Sequence, residues 1–110
     1  MPECFAQHER IKRKTDFQRV YQEGSKRVSS SFILYSTIEQ GRSYCRLGIT
    51  ASRKVGNAVV RNRCKRVLRE IFRRHKPLLP QGMDIVVVVR RAMTEKRYHE
   101  ILDEFCCALS

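Results

Sequence analysis

Residues 54–70 read KVGNAVVRNRCKRVLRE, and this stretch decides how the rest of the chain is interpreted. On a helical wheel, its apolar residues and those just beyond it fall within one arc of roughly 100°, the width of a face that packs against a core. The arc contains Val60, Cys64, Val67, Leu68, Ile71 and His75. The pattern therefore predicts an amphipathic helix from about Ala58 to His75 whose apolar side anchors the fold.

The side opposite the apolar arc is strongly basic. It is formed by Asn62, Arg66, Arg69 and Arg73, flanked by Arg61, Arg63, Lys65 and Arg74. Between residues 53 and 76 the chain has ten Lys or Arg residues and one acid, Glu70, so ion pairing within the helix cannot neutralise this side. Such self-repulsion favours a polyanionic partner.

The whole chain has the same imbalance of charge. Its 110 residues include 23 Lys or Arg and 11 Asp or Glu, which gives a formal net charge of +12. A charge of this size is typical of proteins that bind nucleic acid or an acidic membrane. A membrane-docking helix needs large apolar residues on its exposed face, whereas this helix needs its apolar residues for the core. We therefore predict a nucleic-acid partner and no membrane partner.

Composition limits the architecture. A chain of 110 residues suits one domain, residues 1–110, and is too short for two independent cores. The longest apolar run, residues 85–89, is far shorter than a membrane span, and residues 1–5 do not resemble a secretion signal, so we expect a cytoplasmic protein. Five cysteines without CxxC spacing argue against both a disulfide framework and a zinc site.

The segments before the basic helix read as an arm, a short helix and two strands. Residues 1–14 form a basic arm that we expect to be flexible, and in the helix that follows Thr15 and Gln18 resemble a capping box. Residues 32–38 and 44–50 both alternate between apolar and polar side chains. This alternation predicts two strands paired as a hairpin.

The segments after the basic helix read as one strand and one helix. Pro77 and Pro80 end the basic helix because proline cannot continue it. Residues 84–90 form a strand whose uninterrupted apolar run indicates burial on both faces, and Thr94 is predicted to cap the last helix. The order α-β-β-α-β-α predicts a single-domain α-β sandwich of the α+β class.

No pattern in the chain is typical of a protein active site. The acidic residues lie close together only in the last helix, at spacings that suit a solvated face. The histidines have no Cys or Ser nucleophile at a recognisable spacing. We therefore predict no catalytic residue, no metal ligand and no small-molecule substrate, which leaves an RNA binder without its own catalytic set.

Residues 56–66, GNAVVRNRCKR, followed by Arg69, resemble the signature of the bacterial ribonuclease P protein subunit family. Other stretches resemble further landmarks of that family in the same order along the chain. These are residues 14–21 (KTDFQRVY), 32–35 (FILY), 47–49 (LGI) and the strand at 84–90. The resemblance therefore extends along nearly the whole chain.

The resemblance implies a small cofactor protein for a catalytic RNA, with which it removes the 5′ leader of precursor transfer RNA. The RNA subunit would carry the chemistry and would bind most of the Mg²⁺ that activates the attacking water. The protein would hold the single-stranded leader and favour metal binding by the RNA. The family also implies a mixed central sheet with a left-handed βαβ crossover, which is an uncommon connection.

The resemblance assigns two sets of residues to RNA. Contact with the RNA subunit falls on Arg61, Asn62, Arg63, Lys65, Arg66 and Arg69, and the same side of the helix continues to Arg73. The leader-binding cleft maps onto Phe17, Tyr21 and Tyr35, with Lys54 at its edge as a phosphate contact. Aromatic faces suit unpaired bases because every base can stack on them regardless of sequence.

Alternatives remain for both the function and the aromatic residues. Composition alone would also fit a non-catalytic structural RNA-binding protein of the ribosomal type, and only the ordered motifs favour the ribonuclease P subunit. A protein-only endonuclease is disfavoured by the scattered acids. The three aromatic residues could be ordinary core residues, although Tyr35 alternates away from Phe32 and Leu34 and so suits that interpretation least.

Overall fold

Four strands form one sheet with helices on both faces in a computed structural model that describes residues 9–109. The helices are Lys14–Glu23 (α1), Ala58–His75 (α2) and Tyr98–Ala108 (α3). The strands are Ser25–Val28 (β1), Phe32–Ile38 (β2), Arg46–Thr50 (β3) and Met83–Val89 (β4). Two short 3₁₀ helices, Lys76–Leu78 and Arg91–Glu95, follow α2 and β4. None of the helices described in this part of the chain is long and apolar enough to cross a membrane.

The strand order β1-β2-β4-β3 shows that the predicted hairpin is wrong. β4 lies between β2 and β3, antiparallel to the first and parallel to the second. The residues from Ile85 to Val87 are fully buried, and a strand that is apolar on both faces is stable only inside a covered sheet. Alternation in β2 and β3 indicates strands but does not specify which strand lies beside each. β3 reaches β4 through α2, the kind of crossover that a parallel pair requires.

β1 is a strand that the sequence did not indicate. It pairs antiparallel with β2, with Ser25 opposite Ser36 and Val28 opposite Ile33. All four of its residues are exposed, so no apolar alternation marks it in the sequence. The element order is therefore α-β-β-β-α-β-α, and the predicted α+β class with a mixed sheet is confirmed.

Each face of the sheet has its own apolar layer. α2 and α3 cover one face through Leu68, Phe72 and Phe105, which are fully buried. α1 covers the other face through Val20, which packs with Val86 of β4. β4 thus contributes to both layers, as its uninterrupted apolar run predicts.

α2 has the boundaries that the sequence predicts, Ala58 to His75. Asn57 caps its N-terminus, since its side-chain oxygen accepts a hydrogen bond from the Val60 N–H at 3.0 Å. Glycine is needed at position 56 because a Cβ there would lie 2.9 Å from the Val60 side chain. The tight turn before α2 is therefore built by the same residues that carry the family resemblance.

The predicted caps of the other two helices are wrong. α1 begins at Lys14, so Thr15 lies inside the helix. Thr94 lies in a 3₁₀ helix, where its hydroxyl donates to the Arg91 carbonyl at 2.8 Å, and α3 begins only at Tyr98. Threonine hydroxyls bond to nearby backbone groups in turns as well as at helix starts, so the pattern alone does not place a cap.

The part of the predicted N-terminal arm that the structure describes, residues 9–14, packs on the domain. Ile11 is buried, and its N–H donates to the Leu47 carbonyl at 3.0 Å. The Glu9 carboxylate accepts from the Lys76 ammonium group at 2.8 Å. Residues 9–14 therefore do not form the flexible arm that was expected, because Ile11 is buried in the core. Residues 1–8 of the predicted arm lie outside the described residues.

Candidate functional site

The exposed side of α2 brings together the residues that the resemblance assigns to RNA-subunit contact. This basic face consists of exposed Asn62, Arg63 and Arg66 with half-buried Arg61, Lys65, Arg69 and Arg73. The other side of the helix packs into the core, with Leu68 and Ile71 fully buried. Because that side is fixed in the core, the basic face is held rigidly outward.

The single acid of α2 neutralises charge at the C-terminal end of the helix. Glu70 binds Arg73 at 2.7 Å and Arg74 at 2.8 Å. Hydrogen bonds from Arg73 and then Arg74 lower the pKa of the Glu70 carboxyl. Residues 58–69 contain no acid, so no ion pair within this segment balances its cations.

Two cations from the N-terminal segment extend the basic face. Arg10 and Lys12 join Lys65 and Arg69 around a shallow cavity of about 200 Å³. Burial, and then the charge of Arg10, lowers the pKa of Arg69. The sequence indicated a basic arm but not that it lies against α2, which depends on the buried Ile11.

The three aromatic residues assigned to the leader form one cluster. We call Phe17, Tyr21 and Tyr35 the aromatic cluster: the ring centroids are 6.4 Å apart between the first two and 4.8 Å between the last two. Tyr21 and Tyr35 meet edge to face at 75°. The Tyr21 hydroxyl lies 3.4 Å from the Thr50 hydroxyl, which connects α1 to the edge of the sheet.

The members of the aromatic cluster differ in burial. Phe17 is half-buried and fits over Gly48, where a Cβ would lie 2.8 Å from its ring. Tyr21 is 37% exposed, and Tyr35 is half-buried. Phe17 therefore acts partly as a core residue, as the alternative interpretation held, whereas Tyr21 offers its ring to solvent.

A cation that was not predicted lies beside the aromatic cluster. The predicted cation, Lys54, is exposed in the connection between β3 and α2. Lys26, which the sequence did not single out, has its ammonium group 6.0 Å from the centre of the Tyr35 ring. The signal that could have revealed it is strand pairing, since Lys26 lies opposite Tyr35 in the β1–β2 register.

A buried carboxylate fixes α1 on the sheet beside the cluster. Asp84 is fully buried and binds Arg19 of α1 at 2.5 Å, Arg46 of β3 at 2.8 Å, and also Arg42. Burial acts to raise the pKa of Asp84, but hydrogen bonds from Arg46 and Arg42 outweigh it and leave the pKa below its usual value. The hydrogen bond between Arg46 and Asp84 also raises the pKa of Arg46. This arrangement sets the distance between α1 and the sheet.

The basic face and the aromatic cluster lie on opposite sides of the sheet. Leu47 and Ile85 share the apolar layer beneath α2. Val86, the next residue of β4, packs with Phe17 and Tyr35 in the layer beneath α1. The sheet therefore separates the basic face from the aromatic cluster.

Several acidic and histidine side chains in the described part each have a partner of their own. The Glu104 carboxylate, for example, accepts hydrogen bonds from Ser30 at 2.8 Å and from the Ser31 N–H at 3.0 Å. His75 Nδ1 lies 2.8 Å from the Ile71 carbonyl. Among residues 9–109, no three His, Cys, Asp or Glu side chains are placed to share a metal ion.

The chain is similar to a family of known proteins. The family model described as Ribonuclease P matches residues 5–110. The ribonuclease P protein component of Thermotoga maritima is 41% identical over 96 residues, which cover 87% of this chain and 81% of that protein. The corresponding protein of Brevibacillus brevis is 44% identical over 81 residues, which cover 74% of this chain and 64% of the relative.

Solved structures share the fold. The RNase P protein of Staphylococcus aureus superposes with a TM-score of 0.83 at 36% identity, covering 92% of both chains. The RNase P protein of T. maritima superposes with a TM-score of 0.80 at 35% identity, covering 92% of this chain and 94% of that one. The likeness confirms the α+β architecture with its mixed sheet.

Proposed function

Because the chain belongs to the ribonuclease P protein family, we propose that it is the protein subunit of a ribonucleoprotein that removes the 5′ leader from precursor transfer RNA. The observation that carries this proposal is the basic face of α2, which coincides with the most specific motif and has no acid in residues 58–69. A surface of this kind gains affinity by releasing counterions from an RNA backbone. Its partner in the proposal is the ribonuclease P RNA.

The aromatic cluster supports the second part of the proposal, binding of the single-stranded leader. Tyr21 and Tyr35 are fixed edge to face, and α1 is tied to the sheet through Asp84. A rigid aromatic surface stacks unpaired bases at low entropic cost, and Lys26 and Lys54 add charge for the leader phosphates. Since this surface lies across the sheet from α2, precursor transfer RNA and the RNA subunit can bind together.

Catalysis in the proposal belongs to the RNA, which would bind the Mg²⁺ that activates the attacking water. Among residues 9–109, no three acids or other ligand side chains are placed to share a metal ion, and Asp84, Glu9 and Glu70 already bind arginine or lysine. The protein's own residues hold and orient the RNA and screen its phosphates. We expect the complex to act in the cytoplasm.

Reconstitution tests this proposal. Cleavage of a 5′-extended precursor transfer RNA is measured at low Mg²⁺ with the protein, with a bacterial ribonuclease P RNA, and with both. The proposal expects cleavage at the mature 5′ end only when both are present. Cleavage by the protein alone would reveal a protein active site, and no protein-dependent enhancement of a competent RNA would favour a structural RNA-binding protein.

A further inference from the structure

A groove beside α2 shares Arg63 with the basic face, but its other lining residues have no role in the function proposed above. It lies between α2 and the start of α3 and encloses about 250 Å³. Its lining includes Arg63, Val67, Met93, Lys96, Tyr98 and Ile101. None of its lining residues within 9–109 is acidic, although the neighbouring helix α3 has several acids.

The groove combines an apolar floor with an aromatic and cationic rim. Met93 and Ile101 are buried at its floor, and Tyr98 at the rim is 39% exposed. Arg63 and Lys96 supply two cations at the same rim. An aromatic ring with adjacent cations is the arrangement that holds an unpaired nucleotide, because the base stacks on the ring and the phosphate meets the charge.

Arg63 makes the groove continuous with the basic face. Its Nη2 donates to the Thr94 carbonyl at 3.3 Å, which directs the guanidinium toward the 3₁₀ helix before α3. Lys96 acts electrostatically on Glu104, whose carboxylate accepts hydrogen bonds from Ser30 and Ser31 outside the lining of the groove. The groove therefore has two cations in its lining, of which Arg63 also belongs to the basic face.

We propose that this groove binds one unpaired nucleotide of the RNA subunit, with its base on Tyr98 and its phosphate between Arg63 and Lys96. The proposal rests on the function proposed above, because it requires α2 to face that RNA. The leader is the other possible source of an unpaired nucleotide, but the aromatic cluster lies on the opposite side of the sheet.

Substitution of the ring tests the proposal directly. Tyr98→Ala should weaken binding to ribonuclease P RNA at least about 5-fold, whereas Tyr98→Phe should retain most of the affinity because it keeps the stacking surface. Tyr44→Ala is the matched control, since Tyr44 is 38% exposed but lies before β3, away from the groove. Unfolding midpoints confirm that each variant is folded. Equal affinity of Tyr98→Ala and the unsubstituted protein would overturn the proposal.

A fluorescent residue identifies the source of the nucleotide. The chain contains no tryptophan, so Tyr98→Trp introduces a single reporter at the rim of the groove. Ribonuclease P RNA should quench its emission, and an oligonucleotide with the leader sequence should not. Quenching by the leader alone would overturn the assignment to the RNA subunit.

Two further variants separate this proposal from the function on which it rests. Lys96→Gln should reduce the salt dependence of RNA-subunit binding by roughly 0.7–0.9 log units per log unit of salt, the slope of one phosphate contact. If Arg66→Ala with Arg69→Ala weakens binding while Tyr98→Ala does not, the groove does not bind a nucleotide but the basic face does contact the RNA subunit. If neither weakens binding, the RNA-subunit interface itself is wrong.

Discussion

Arginine has opposite roles in two regions of this molecule. Around Asp84, three arginines converge on one fully buried carboxylate and also pair with Glu39 or Asp16, so acids within the fold balance their charge. On α2, the cations of residues 58–69 have no acid in their own segment and face outward. The first arrangement stabilises the protein, while the second costs self-repulsion that only a polyanion relieves. The number of cations therefore does not identify an interface; the position of the nearest acid does.

Removing the buried acid Asp84 should have the largest effect, a loss of stability. Asp84→Asn leaves three arginines beside an uncharged group, and breaking a buried ion pair in this way costs roughly 3–5 kcal/mol of unfolding free energy. Urea unfolding measures the loss. A change below about 1 kcal/mol would mean that these arginines are solvated and do not hold α1 on the sheet.

The pH dependence of stability should show the same carboxylate. Because the folded-state pKa of Asp84 lies below its usual value of 3.8, its contribution is present above that value and is lost as the pH falls through the folded-state pKa. Unfolding free energy measured from pH 6 downward should therefore decline in acid below about pH 4. Asp84→Asn should show a shallower decline. If the slope of unfolding free energy against pH is unchanged in this variant, the decline arises from other acids.

Removing cations from the basic face should affect binding and spare stability. Arg66→Ala with Arg69→Ala should flatten the salt dependence of RNA-subunit binding by roughly 0.7–0.9 log units of slope for each phosphate that is no longer neutralised. The free energy of unfolding should stay the same or rise, because like charges are removed. Affinity titrations at several salt concentrations and urea unfolding check the two parts, and an unchanged slope would remove α2 from the interface.

Substitutions in the aromatic cluster should affect only the binding of the leader. Tyr35→Ala should weaken binding of precursor transfer RNA by roughly 1–3 kcal/mol and leave binding of mature transfer RNA unaltered, because only the precursor has unpaired leader bases. Tyr35→Phe keeps the ring and serves as the control. Equal losses for precursor and mature transfer RNA would contradict the assignment of this surface to the leader.

The smallest effect is expected at the single acid of α2. Glu70→Gln releases Arg73 and Arg74 at the exposed end of the helix, where ion pairs contribute little to stability. The denaturant midpoint should hardly change, and RNA-subunit affinity should rise slightly as the face becomes more basic. A loss of stability close to that of Asp84→Asn would remove the contrast between the two regions.

Periodic segments of the fold were predictable from sequence. α2 begins and ends where its apolar arc and its prolines indicate, and the apolar run of β4 is buried on both faces. The pairing of the strands was not predictable in the same way. Alternation identifies β2 and β3 as strands but does not indicate that β4 lies between them. β1 was missed because its pairing is made by the backbone and its side chains are all exposed.

The candidate site shows the same division. The basic face follows from helical periodicity, which fixes the direction of every side chain on α2 once its apolar side is known. The addition of Arg10 and Lys12 depends on where Ile11 is buried, and the place of Lys26 depends on the β1–β2 register. The cluster around Asp84 joins residues from positions 19, 42, 46 and 84, and no local pattern connects them.

Sequence by itself therefore determined the class of the fold, the basic face of α2, the family and the expectation of an RNA partner. These depend on local periodicity and charge, which a helix or strand converts directly into geometry. Only the tertiary structure decided the strand order, the docking of the N-terminal segment and the separation of the basic face from the aromatic cluster by the sheet. Those features arise from contacts between residues far apart in the chain, which are selected by mutual burial and charge pairing.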